Sequence, residues 1–170
     1  MKGPELVLLS LGALILLGRS SMVGLTRGLR NRNPGNLKAG RAWPGVTGKD
    51  EKGFAVFRTM TDGINAMMNN AASYPKRFNV VSLRDFGLTW SPPSDNAGDS
   101  DYGARLASII GVPADRPFPF TDPTHLYLLG RAIIRNENGV SALALVDAGD
   151  IRRAAESIVA LGYTLPPRLA

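Results

Sequence analysis

Cysteine is absent from the 170 residues and histidine occurs once, at His125. The first absence excludes disulfides and thiolate-held metals, and the second leaves a histidine-built metal centre without ligands. Any catalysis therefore falls to carboxylates, hydroxyls and amides, with no metal or organic cofactor expected. Aromatic residues amount to 7% and tryptophans to two, so in so small a domain the rings are needed first for the core. A dense basic stripe is missing too. The net charge of +6 and pI near 10.1 favour an anionic partner, whether nucleic acid, acidic headgroups or an anionic cell envelope. The cations come in ones and twos, at Lys38, Arg41, Lys49, Lys52, Arg58, Lys76 and Arg77. That scatter suits a solvated surface and argues against a nucleic-acid partner.

What is present begins with "MKGPELVLLSLGALILLGRSSMVG", where Lys2 precedes an uncharged run from Leu6 to Gly18 that ends at Arg19. The run is shorter than the ~20 residues of a full span and falls in the range of a signal-peptide apolar region. A cleaved signal, a short signal-anchor and a weakly hydrophobic helix able to leave the bilayer all compete. The uncleaved anchor is favoured, because Arg19 directly follows the run and no small-x-small cleavage site sits there. A core helix is the bland alternative, disfavoured because the run is apolar on every face. The division expected is residues 1–24 as an anchor or signal-like segment and residues 25–170 as one folded domain.

In the body, residues 24–53 read as a structured loop region with room for a short strand, and "GFAVF", Gly53 to Phe57, carries the strongest strand signal. Thr61 or Asp62 is expected to cap a helix whose Ile64, Met67, Met68 and Ala71 form a core face until Pro75 stops it. Ser82 opens "LRDFGLTW", and "YGARLASII" closes at Gly111. "TDP" starts a long helix with Leu126, Leu129, Ile133 and Ile134 on its buried side, ending at Gly139. A last helix is expected over 150–161. The sum is a mostly α (α+β) domain with a small β region near its start and no internal repeat.

Glu137 lies at the C-terminal end of that apolar helix, where the helix dipole and hydrophobic surroundings both disfavour a negative charge. A carboxylic acid so placed meets the general-acid requirement of glycan cleavage. Read from position alone, a solvated residue beside a capping glycine explains it as well.

"AIIRNENG" resembles the helix end of lysozyme-like lytic transglycosylases, in which an "AIIRxESG" helix delivers the catalytic glutamate; here Asn138 stands at the serine position. "LRNRNPGNLK", followed by a tryptophan, glycines and "GFAVF", resembles a phage-encoded group with an "RNNNPGN" signature. It is also similar to the glucosaminidase pattern of paired asparagines before a short aromatic strand. The resemblance spans about Arg27 to Gly139 and implies a lysozyme-like domain with Glu137 as its catalytic residue. Since Glu137 follows the asparagine segment where ordinary members have it first, a circularly permuted order is implied, with the helix returning to the loop. Asn31, Asn33 and Asn36 then become substrate-binding candidates through their amides, although loop-building is favoured for Asn36. Trp43, Trp90 and Tyr102 are candidates for stacking on sugar faces. Asp50 and Asp62 are the nearest candidates for a second carboxylate, without a motif to support either.

The function implied is cleavage of the β-1,4 glycan linkage of peptidoglycan, as a lytic transglycosylase or muramidase. The implied setting is a phage virion membrane or the host cell envelope, with peptidoglycan, the membrane and other virion proteins as partners. The alternative is a structural virion protein that binds membrane or peptidoglycan without turnover.

Overall fold

The computed structural model describes residues 24–95 and 101–168. The expected anchor over residues 1–24 lies, but for Gly24, outside them. Among the described residues no helix is long and apolar enough to cross a membrane. The chain runs through α1 (Arg27–Arg30), β1 (Val46–Lys49), β2 (Ala55–Phe57), α2 (Met60–Ala72), α3 (Tyr74–Phe78), α4 (Leu83–Trp90), α5 (Tyr102–Ile110), α6 (Pro123–Asn138) and α7 (Ala148–Leu161). Single 3-10 turns at Pro93–Asp95 and Val140–Ala144 complete it. The mostly helical composition with one small sheet is what the sequence pattern predicts.

Local chemistry explains where the helices start. Thr59 and Asp62 close a capping box at α2, and Ser82 and Asp85 close another at α4. Thr59, rather than Thr61 or Asp62, is therefore the cap of α2; Asp62 is its partner three residues on. Asp122 caps α6 by accepting from the His125 amide, with Pro123 in the first turn. Asp147, not Asp150, caps α7, so that helix begins at Ala148. Pro75 does not end the helical path either. Ser73 ends α2, and Pro75 sits in the first turn of α3, where its missing N–H costs no hydrogen bond.

Ile64, Met67, Met68 and Ala71 of α2 and Leu126, Leu129, Ile133 and Ile134 of α6 are all fully buried, joined from α7 by Ile151 and Ala155. α7 packs on both α2 and α6, and α5 packs on both α4 and α6. The α4–α5 approach is a backbone crossing. A Cβ at Gly87 would stand 2.2 Å from the Gly103 nitrogen, and one at Gly103 would stand 2.1 Å from the Leu83 carbonyl oxygen. Only glycine admits helices that close. The crossing fixes the start of α5 and hence Tyr102, its first residue.

β1 and β2 pair antiparallel, Val46 opposite Phe57 and Lys49 opposite Ala55, with an irregularity between Val46 and Gly48. Segment 31–39 runs along the other edge of β2: Phe57 N donates to Asn31 O, Ala55 N to Leu37 O, and Ala39 N to Gly53 O. Leu37, Trp43, Ala55, Phe57 and Ala66 make a second, smaller core there, and Trp90 touches both cores.

Candidate functional site

The asparagine segment divides its labour. Asn33 is fully buried; its amide donates to Leu37 O and Ala55 O, each at 2.9 Å, and its side-chain oxygen accepts from Leu37 N at 2.9 Å. With both donor hydrogens spent on the backbone, Asn33 builds the loop and has nothing to offer a sugar. Asn31 donates to Asp50 Oδ2 at 2.7 Å, tying the loop to the β1–β2 turn. Asp50 in turn accepts from the Lys52 and Phe54 amides and lies 3.4 Å from Arg27. Burial would raise its carboxyl, but those bonds, Phe54 first, together with Arg27 hold it below the usual carboxylate range. Asp50 is thus committed to pinning the hairpin to the asparagine loop. Asp62 belongs to the α2 capping box and lines a different groove, with Trp43 and Ser157.

Asn36 departs from the loop-building role. Its φ of 48° lies in the left-handed region that asparagine tolerates, and its amide donates to Glu137 Oε2 at 2.7 Å. The buried Asn36 Oδ1 has no hydrogen-bond partner among the described residues. The other Glu137 oxygen, Oε1, accepts from the Tyr102 hydroxyl at 2.7 Å. Burial first, and then the adjacent Glu137 charge, push the Tyr102 phenol well above its ordinary value, so the hydroxyl stays protonated and donates. The long helix therefore returns to the "NRNPGN" loop, and one carboxylate is held between donors from two other elements.

Asn138, at the position where the resembled motif has serine, is 6% exposed. Its amide donates to Pro34 O at 2.8 Å and Ile134 O at 3.2 Å, and its oxygen accepts from Thr26 Oγ1 at 2.6 Å. The next residue in the chain after Glu137 thus bolts the helix end to the loop. Gly28 of α1 makes room for this: a Cβ there would lie 2.4 Å from Asn138 Oδ1 and 3.1 Å from Asn36 Oδ1.

Glu137 opens into a cleft of about 390 Å³. Lys38, Phe54, Trp90, Arg105 and Asn136 line it, and among the described lining residues Glu137 is the one carboxylate. Arg105 Nε donates to Asn136 Oδ1 at 3.1 Å, and the Lys38 ammonium sits 3.9 Å from the Phe54 ring centre. Trp90 is half-buried, with one face stacked on Phe86 at 5.3 Å. Of the three rings expected at the rim, it alone keeps that place. Trp43, at 5% exposure, is a core residue of the smaller cluster. Tyr102, at 3%, offers its hydroxyl to Glu137 and no face to a ligand. Lys38, Phe54, Arg105 and Asn136 were not singled out from the sequence; Arg105 could have been, one helical turn after Tyr102 on the same face.

A carboxylate fixed at both oxygens, with two cations and an indole beside it in an open cleft, is equipped to exchange a proton with a bound polar substrate. Among the described residues no group of three or more His, Asp or Glu side chains converges to hold a metal ion. No family model matches the sequence. A search of characterised proteins finds protein P5 of Pseudoalteromonas phage PM2, 30% identical over an alignment 118 positions long that covers 66% of this chain and 71% of that one. With that identity over more than two thirds of the phage protein, the chain belongs to the family of PM2 protein P5.

Proposed function

We propose that the protein cleaves the β-1,4 glycan linkage of peptidoglycan, with Glu137 acting first as acid and then as base. The observation that carries this reading is the pairing of Glu137 with Asn36 and Tyr102 at the mouth of a cleft. That pairing joins the two segments, "AIIRNENG" and "NRNPGN", whose resemblance to lysozyme-like lytic transglycosylases is independent of any contact between them. That Glu137 is the one carboxylate among the described lining residues favours the transglycosylase route over a two-carboxylate hydrolase. In that route protonated Glu137 assists departure of the leaving oxygen, the N-acetyl group of the substrate stabilises the positive centre, and Glu137 then takes a proton from an internal hydroxyl. Asn36 and Tyr102 hold the carboxylate on line through both transfers, and Trp90 offers a sugar-sized face.

The test is product analysis after incubation with purified peptidoglycan. Wild type is expected to release anhydro-ended fragments, and Glu137→Gln, folded as judged by thermal unfolding, to lose at least ~100-fold of that activity. Near-normal cleavage by the folded variant would remove Glu137 from the mechanism.

Kinship with a phage protein, together with the apolar run from Leu6 to Gly18, favours a second reading: a virion protein held at a membrane that binds the envelope without turnover. Binding of peptidoglycan by wild type with no cleavage of several peptidoglycans would select it.

A further inference from the structure

The Glu137 cleft does not end at Trp90. It continues into a second trough of about 360 Å³ that shares Gly35, Asn36, Lys38 and Trp90 with it. The far end of this trough collects Arg41, Arg77 and Arg168, and no carboxylate lines it among the described residues. Three separate elements bring the arginines there. Arg41 lies in the loop after the asparagine segment, Arg77 lies on α3, and Arg168 lies near the chain end, which pairs back through an Arg41–Arg168 bridge and an Ala42 N to Pro167 O bond.

Two of the guanidiniums are anchored by neutral acceptors, and no carboxylate pairs with either among the described residues. Arg41 donates to Pro166 O at 2.9 Å, and Arg77 donates to Ser73 Oγ at 3.0 Å while lying 4.6 Å from the Phe78 ring centre. Burial first, and then the like charges of Arg77 and Arg168, hold the Arg41 guanidinium below its ordinary value. Cations that repel one another across a groove are stabilised by an anion that enters it. Guanidinium forks match planar carboxylates in two-point hydrogen bonds.

We propose that the Arg41–Arg77–Arg168 arm receives the carboxylates of a peptide substituent while the sugar to which it is attached occupies the Glu137 arm. This rests on the glycan-cleaving reading and narrows it: the substrate is the peptide-bearing strand, not the bare one. Trp90 and Asn36, shared by both arms, mark where sugar gives way to peptide.

The test is calorimetric binding of a disaccharide-tetrapeptide and of the same compound with its carboxyls amidated, using the full chain. Wild type should bind the carboxylate form at least ~10-fold more tightly. Arg77→Gln/Arg168→Gln should close that gap without changing affinity for the amidated form. Arg168→Gln alone, on an exposed side chain, should narrow it with the fold untouched. Equal affinity of wild type for the two forms, binding of neither, or a gap that persists in folded double variant would overturn the proposal. The catalytic reading is judged separately. Cleavage of peptidoglycan without a carboxylate gap defeats this inference alone, whereas a gap without cleavage defeats catalysis alone.

Discussion

At the scale of single residues, the contrast between Asn33 and Asn36 shows how little residue type says about role. Both sit in one six-residue stretch, yet one amide is sealed into the backbone and the other reaches Glu137. Burial separates them, and burial is a property of the finished fold that composition does not encode. The same holds for Trp43, whose ring closes a small core. Tyr102 supplies the sharpest residue-level prediction. Tyr102→Phe keeps the ring that fills the core and deletes only the donor to Glu137, so stability should fall by about 1 kcal/mol. If Glu137 is catalytic, kcat should drop ~10-fold with KM little changed; an unmoved kcat would leave Tyr102 as packing alone. Asn138 is predicted to matter for a different reason. Asn138→Ala strands the buried Pro34 carbonyl and the Thr26 hydroxyl, and should cost about 2 kcal/mol in denaturant unfolding. Asn138→Ser, the residue of the resembled motif, is too short to span both contacts and should recover only part of that loss.

At the scale of elements, legibility follows the strength of local signals. α4 and α6 are readable because a cap and an apolar period agree in each, and α5 because its apolar period closes at Gly111. α1 is unreadable because four residues cannot display a period, and β1 because "VTGK" is polar and nearly all exposed. The return of α6 to the asparagine loop is foreshadowed by motif order, whereas the arrival of α5 is not. That approach depends on two glycines whose meeting no local pattern announces. Gly103→Ala would drive a methyl into the Leu83 carbonyl and should cost about 3 kcal/mol or more, while also displacing Tyr102 from Glu137. Gly48→Ala, with open space around it, is the control and should stay within about 0.5 kcal/mol. Thermal unfolding of the pair decides; equal losses would mean that α4 and α5 can part without consequence.

At the scale of the whole molecule, the helix starts govern the response to acid. Asp85 is held below the usual carboxylate range by the Ser82 hydroxyl and amide, Asp122 by the His125 amide and ring, and Asp150 by the Thr61 hydroxyl and then Arg153. A carboxyl depressed in the folded state contributes its full stability above its unfolded value and loses it as pH falls through the folded one. The melting temperature should therefore be flat from about pH 7 to pH 5 and fall below about pH 4. A midpoint unchanged at pH 3 would show these first-turn and capping carboxylates to be energetically idle. The pairing at the cleft carries a further implication, one of timing. Asn36 and Glu137 are 101 positions apart and Thr26 and Asn138 are 112 apart, so the cleft is a clasp between early and late segments. Closing so long a loop gains nothing until nearly all of it has packed. A ribosome-bound chain carries the asparagine loop long before it has a carboxylate to hold, and a chain cut anywhere ahead of α6 has half a clasp. The cleft is thus among the last features to come into being, and a cell making this protein meets it complete or not at all.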